Sequence, residues 1–189
     1  MTNQDRPHRA DSARTMRTIL EAAEQVYGAN PAATIEQVAD AAGVARSTVH
    51  RRFATREALL DALSTWANEQ FNAAVDAARP ETTPPLIGLY QVTANVLRVK
   101  RSWAFAMNRA GHTHPGMPSL LSRCDELFGR AREAGLLRED VDPRWATRVY
   151  RALIEEVCHP DNDAEDPDAL ATAVVDTLLR GVGSPSARL

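Results

Sequence analysis

The sequence predicts an all-α protein: an N-terminal three-helix helix-turn-helix head, joined by a long helix to a C-terminal helical domain, about nine helices in all. Three observations carry this. Apolar residues recur at three- and four-residue spacing through most of the 189 residues, the period of one helix face, and no stretch gives a convincing strand pattern. Helix starts and stops recur along the chain, at Thr34 with Gln37, at Gly43, at Gly135 and at Asp142–Pro143. Breaks at Gly28–Pro31, at Pro80 to Pro85 and over 111–118 cut the chain into segments of helical length.

Residues 1–11 are polar and charged, include Pro7, and read as a disordered arm. From about Ser12, a stripe of Met16, Ile19, Ala23, Val26 and Tyr27 marks the first helix, and Gly28, Asn30 and Pro31 stop it. Thr34 and Gln37 form a capping-box pair, hydroxyl on a backbone N–H and amide reaching back. Ile35, Val38, Ala39 and Ala42 then face inward, and Ala39 is small, as a close helix crossing requires. Gly43 supplies a left-handed turn. The next helix starts within three residues. Val44, Val49 and Phe53 continue the core, which leaves Arg46, Ser47, Thr48, His50, Arg51 and Arg52 on the outside. Two short helices joined by a tight Gly turn, the second loaded with donors, have a shape that fits the major groove of DNA.

Thr55 opens a fourth helix, with Glu57 in its first turn to suit the dipole. Leu59, Leu60, Leu63, Trp66, Ala67, Phe71, Ala74 and Val75 carry it to about Ala78 with no Pro or Gly. From Thr82 to Leu97 there is no charged residue, so that helix is expected to be buried on most sides. Residues 103–110 form a short apolar piece and 111–118 a loop. Ser119 to Ala134 reads as a helix ended by Gly135. Asp142–Pro143 opens another, to about Cys158. An acidic loop over 161–168 precedes a last helix to about Arg180. The expected organisation is an arm at 1–11, a helix-turn-helix domain at 12–56, a C-terminal domain at 57–182 and a tail at 183–189.

The formal net charge is −3, but it is unevenly spread. Residues 1–56 hold eight Arg against six Asp or Glu, and residues 57–189 hold fourteen Lys or Arg against nineteen. The positive end therefore lies on the two-helix motif, where a basic patch can meet phosphate while the whole stays acidic. Cys124 and Cys158 are far apart and lack metal-ligand spacing. No apolar run suits a membrane span and the N-terminus is not signal-like, so the cytoplasm is the expected compartment. His112 and His114 have no third ligand nearby, and no metal is expected. With no Ser/His/Asp arrangement, paired-carboxylate motif or phosphate-binding glycine loop, neither an enzyme nor a cofactor is expected.

The stretches VADAAGV (38–44), VHRRF (49–53) and TREALL (55–60) resemble the head of the TetR family of transcriptional regulators. The resemblance in motif covers about a quarter of the chain. Ala45 stands where that family commonly has a Ser or Thr cap, His50 where it has tyrosine, Arg52 where it has histidine or tyrosine, and Arg56 where it has lysine. Carried over, the resemblance implies that Thr34 contacts phosphate and that Arg46, Ser47 and Thr48 approach base edges. His50, Arg51 and Arg52 would divide between phosphate and bases, and Arg56 would bind phosphate at the start of the fourth helix.

The resemblance also implies a small-molecule effector, unidentified from sequence. Trp66, Phe71, Tyr90, Trp103, Phe105 and Met107 lie on or near helices that surround an inducer pocket in that family. Tyr90, Gln91, Thr93 and Asn95 are candidate orienting groups on the uncharged helix, since pockets are mostly apolar with a few placed polar groups. The last two long helices each carry more apolar face than one domain needs. Trp145, Val149, Leu153 and Val157, with Leu170, Val174 and Leu178, are therefore expected at a homodimer interface. The expected function is a ligand-responsive regulator, a repressor released from palindromic double-stranded DNA by a small molecule. The rival reading is a small-molecule-binding protein whose head is vestigial or binds protein.

Overall fold

The computed structural model describes residues 5–110, 117–159 and 166–182. Nine helices and no strand pair occur among them: α1 Asp5–Ala29, α2 Ile35–Ala41, α3 Arg46–Arg52, α4 Arg56–Ala77, α5 Pro85–Ser102, α6 Ala104–Ala110, α7 Met117–Glu133, α8 Pro143–Val157 and α9 Pro167–Val182. The all-α expectation holds. None of these helices is long and apolar enough to cross a membrane. α1 begins at Asp5, inside the stretch read from sequence as an arm. His112, His114 and most of the acidic loop and tail lie outside the described residues.

The chain divides into two compact units. One comprises the described residues of Met1–Ala67 and Trp103–Gly111, the other those of Asn68–Ser102 and His112–Leu189. The division differs from the sequence-based boundary at residue 56. The first twelve residues of α4 and the whole of α6 go with the head.

The head is built on Ile19, Leu20, Ala23 and Tyr27 of α1, Val38 and Ala39 of α2, Val49 of α3, and Leu59, Leu60 and Leu63 of α4, all at most 2% exposed. The caps read from sequence are formed. Thr34 Oγ accepts the Gln37 N–H at 3.3 Å, and Gln37 Oε1 accepts the Thr34 N–H at 2.8 Å. Gly43 sits at φ 66°, the left-handed region, and lets the Val44 N–H reach the Ala39 carbonyl at 3.1 Å. Ala45 starts α3 in extended conformation without a side-chain cap. Thr55 Oγ accepts the Ala58 N–H at 3.1 Å and opens α4.

The second unit is built around α5, which buries Leu89, Val92, Thr93, Ala94, Val96 and Leu97. That follows from its lack of charge through Leu97. α7, α8 and α9 contribute Phe128, Tyr150, Ile154, Leu170, Val174, Val175 and Leu178 to the same cluster. Phe128 and Tyr150 meet edge to face with centroids 5.4 Å apart. α7 ends at Gly135, φ 72°. α8 begins with Pro143 at its first position, and Asp142 caps the Arg144 N–H at 2.9 Å.

Candidate nucleic-acid interface

α3 has seven residues, about 10 Å of helix, a rod that enters a groove roughly 12 Å wide. Its inward side is Val49, fully buried, with Phe53 at 4% exposure closing the helix. That packing turns the opposite side out. Arg46, Ser47, His50 and Arg51 are exposed and Thr48 is half-buried. Thr34 is exposed at the start of α2. So the structure brings most of the sequence-predicted donors onto one unit and leaves them accessible.

Two of the predicted residues are engaged differently. The Arg52 guanidinium donates to Ser12 Oγ of α1 at 3.0 Å. Arg56 is a clamp inside the head. Its Nε donates to the Ala33 carbonyl at 3.3 Å and one Nη to the Pro31 carbonyl. Its guanidinium lies over the Tyr27 ring at 4.9 Å. Sequence marked Arg56 as a charge near a helix start. Its partners, supplied by the turn between α1 and α2, could be seen only in three dimensions.

Sequence reasoning missed two carboxylates. Glu36 Oε1 lies 3.2 Å from His50 Nε2, and Asp40 Oδ2 lies 3.5 Å from an Arg46 Nη. Glu36 is held below the ordinary carboxylate range, first by its own backbone N–H at the open end of α2, then by the Thr34 hydroxyl and His50. The signal was present as two i, i+4 spacings, 36/40 on one helix and 46/50 on the next.

Glu24 of α1 is a third carboxylate with partners that sequence did not reveal. It accepts the backbone N–H groups of Phe105 at 2.6 Å and Ala106 at 3.0 Å, capping α6. Burial pushes its pKa up, against the lowering effect of those two N–H groups. Tyr27 and Phe105 stack at 5.8 Å, and Arg109 of α6 pairs with Glu57 at 2.9 Å. α6 is therefore part of the head's own core.

The candidate effector residues fall on both units. Trp66, Trp103, Phe105 and Met107 pack against the head's cluster, and Phe71 and Tyr90 against that of the second unit. Trp66 also carries Arg17 over its ring at 5.9 Å. Gln91 is exposed. Thr93 is fully buried, donating to the Leu89 carbonyl at 2.6 Å and lying 2.8 Å from the Tyr150 hydroxyl. Burial drives the Tyr150 pKa up. Asn95 donates to the Ala74 carbonyl at 3.0 Å. Tyr90 donates to Asp176 at 2.6 Å, and burial with that carboxylate raises its pKa to about 12.

The interface residues divide as well. Leu170, Val174 and Leu178 are at most 3% exposed, so that stripe of α9 packs into the core of the second unit. α9 packs on both α5 and α8. On α8, Trp145 is 45% exposed, while Val149, Leu153 and Val157 are half-buried.

Residues 19–63, the span of α2, α3 and their supports, match the family model described as bacterial regulatory proteins, tetR family. The transcriptional repressor LfrR of Mycolicibacterium smegmatis is 30% identical over 171 residues, covering 89% of this chain and 90% of that protein. The transcriptional regulator NfxB of Pseudomonas aeruginosa is 27% identical over 131 residues, 66% of this chain and 70% of that one. The crystal structure of LfrR in complex with proflavine superposes with a TM-score of 0.67 at 29% identity, over 89% of this chain and 97% of that chain. With the helix-turn-helix geometry and these relatives together, the chain belongs to the TetR family of bacterial regulatory proteins and is a ligand-responsive, DNA-binding transcriptional regulator of the repressor type.

Proposed function

We propose that this regulator binds a palindromic operator as a two-fold homodimer and leaves it when a planar aromatic cation binds the second unit. The observation that carries the DNA half is the outward face of α3: Arg46, Ser47, His50 and Arg51 exposed on a helix anchored by buried Val49. Arg46 suits a guanine edge, Ser47, Thr48, His50 and Arg51 suit neighbouring bases or phosphate, and Thr34 suits phosphate from α2. Arg56 serves by fixing the turn beneath them. A two-fold pair of heads reads half-sites about 34–36 Å apart or a multiple of that.

The ligand half is supported by the relative solved with proflavine, a planar aromatic cation. Phe71 and Tyr90 offer half-buried aromatic surface, and Asp176, hydrogen-bonded to Tyr90, offers a counter-charge. The effector acts only through its difference in affinity for the operator-bound and free states.

The test uses an operator selected by the native chain from a randomised duplex library. Arg46→Ala and Arg51→Ala should each weaken operator binding in a gel shift by roughly tenfold or more, the loss of one good base or phosphate contact, with helicity and oligomer size unchanged. Native affinity in both variants overturns the DNA reading. Proflavine should release the native complex and release an Asp176→Asn complex less readily. Equal release removes Asp176 from the effector site.

A further inference from the structure

Glu36 and Asp40 stand one turn apart on α2, and His50 and Arg46 one turn apart on α3. The two pairs face each other at 3.2 and 3.5 Å. These side chains are 40–64% exposed, and ion pairs in that setting add little to stability. Their positions are more informative. The Arg46 contact uses one terminal nitrogen, which leaves the rest of the guanidinium fork open. The His50 contact uses Nε2, which leaves Nδ1 open. Each reading side chain is thus held by one nitrogen and presents the others.

We propose that Glu36 and Asp40 are positioning residues that buttress His50 and Arg46 for base recognition and raise the preference for operator over other DNA. This rests on α3 being the reading helix. Two physical effects act together. A side chain already held in place gives up less rotamer freedom when it meets a base edge. A carboxylate beside each cation also opposes phosphate, the group that dominates binding to arbitrary sequence. The first effect strengthens operator binding alone. The second weakens binding to every duplex.

Removing either carboxylate should therefore have opposite consequences on the two kinds of DNA. A full unit of charge at a phosphate contact corresponds to about eightfold in affinity at 0.1 M salt. Glu36→Gln and Asp40→Asn should each tighten binding to a scrambled duplex by roughly two- to eightfold. Binding to the selected operator should stay level or weaken, because lost orientation offsets the removed repulsion. Glu36→Asp separates the two effects. It keeps the charge but is too short for the His50 contact, so it should weaken operator binding without tightening binding to the scrambled duplex.

Full-length protein, both duplexes and fluorescence anisotropy over a salt series read all of this. Thermal melts confirm that each variant folds, and Asp40→Asn stands as a second test should Glu36→Gln perturb α2. Equal fold-changes on operator and scrambled DNA would mean plain charge, and would overturn the buttress. A rise in the operator preference would overturn it too. Loss of function of α3 itself is a separate outcome: no sequence enriched by the native chain, or full binding by Arg46→Ala, defeats the DNA reading rather than the buttress.

Discussion

Arg56 shows how one side chain can hold a task that a local rule does not reveal. A cation at the start of α4 suggests phosphate, but the guanidinium holds the Pro31 and Ala33 carbonyls and covers Tyr27. Each charge-assisted bond to a carbonyl contributes roughly 1 kcal/mol net, and the ring contact roughly 0.5–1 kcal/mol. Arg56→Ala should therefore cost about 1–3 kcal/mol in urea denaturation. Arg56→Lys should recover only part of it, since one ammonium lacks the planar fork that reaches both carbonyls. A variant as stable as the native chain would return Arg56 to the surface as a free phosphate ligand. Gly43 is the opposite case, legible from sequence because its reason is local. It occupies φ 66° at the end of α2, with nothing within 4 Å of where a Cβ would stand. Backbone conformation rather than space requires glycine there.

At the scale of elements, α2 and α3 were readable because their signals lie within a few residues of their effects: a capping box, a left-handed glycine, a buried Val and Phe. α9 was not. The spacing of Leu170, Val174 and Leu178 says that they share a face, but the helices that pack on α9 include α5, some eighty positions earlier in the chain. Periodicity gives a face and leaves the partner unnamed. α6 shows the same limit. Trp103, Phe105 and Met107 pack against the head's cluster and the Glu24 cap ties their segment to α1, neighbours that spacing alone does not name.

That cap carries a pH signature. Burial raises the Glu24 pKa above the ordinary carboxylate value. The folded state then holds its proton at a pH where the unfolded chain has released it, so this group's contribution to stability is largest at low pH and is lost as pH rises through the folded pKa. Relative to Glu24→Gln, which does not titrate, the native chain should gain stability as pH falls from 7 toward the ordinary carboxylate range. Melting temperatures of both proteins across that range measure it. A constant difference would mean that the carboxyl is not desolvated.

For the molecule as a whole, the dimer proposed above would find its exposed apolar surface on α8. Trp145 is half in solvent beside half-buried Val149, Leu153 and Val157. A large indole in that position is a natural anchor at a two-fold interface. Trp145→Arg should weaken the dimer by about 2 kcal/mol, roughly thirtyfold, in sedimentation equilibrium. Because each head alone holds only one half-site, operator binding should fall with it. Unchanged association would place the interface elsewhere. The family's function was legible because the head is a local motif. Aromatic residues carry no such local mark, because they look alike in a core and in a pocket until their neighbours are known.

The discontinuity of the head has a consequence for its birth on the ribosome. Its core includes Ala106, fully buried, and the Glu24 cap needs the N–H groups of residues 105 and 106. α1 to α3 emerge early, but the unit they belong to is completed only by Trp103–Gly111. At roughly 5–20 residues per second, the stretch from Ala67 to that segment takes a few seconds to synthesise. During that interval the nascent head carries an unsealed apolar seam. A DNA-binding surface thus matures only when the chain committed to the second unit has already begun to appear, and a fragment cut at Ala67 would inherit the unfinished state permanently.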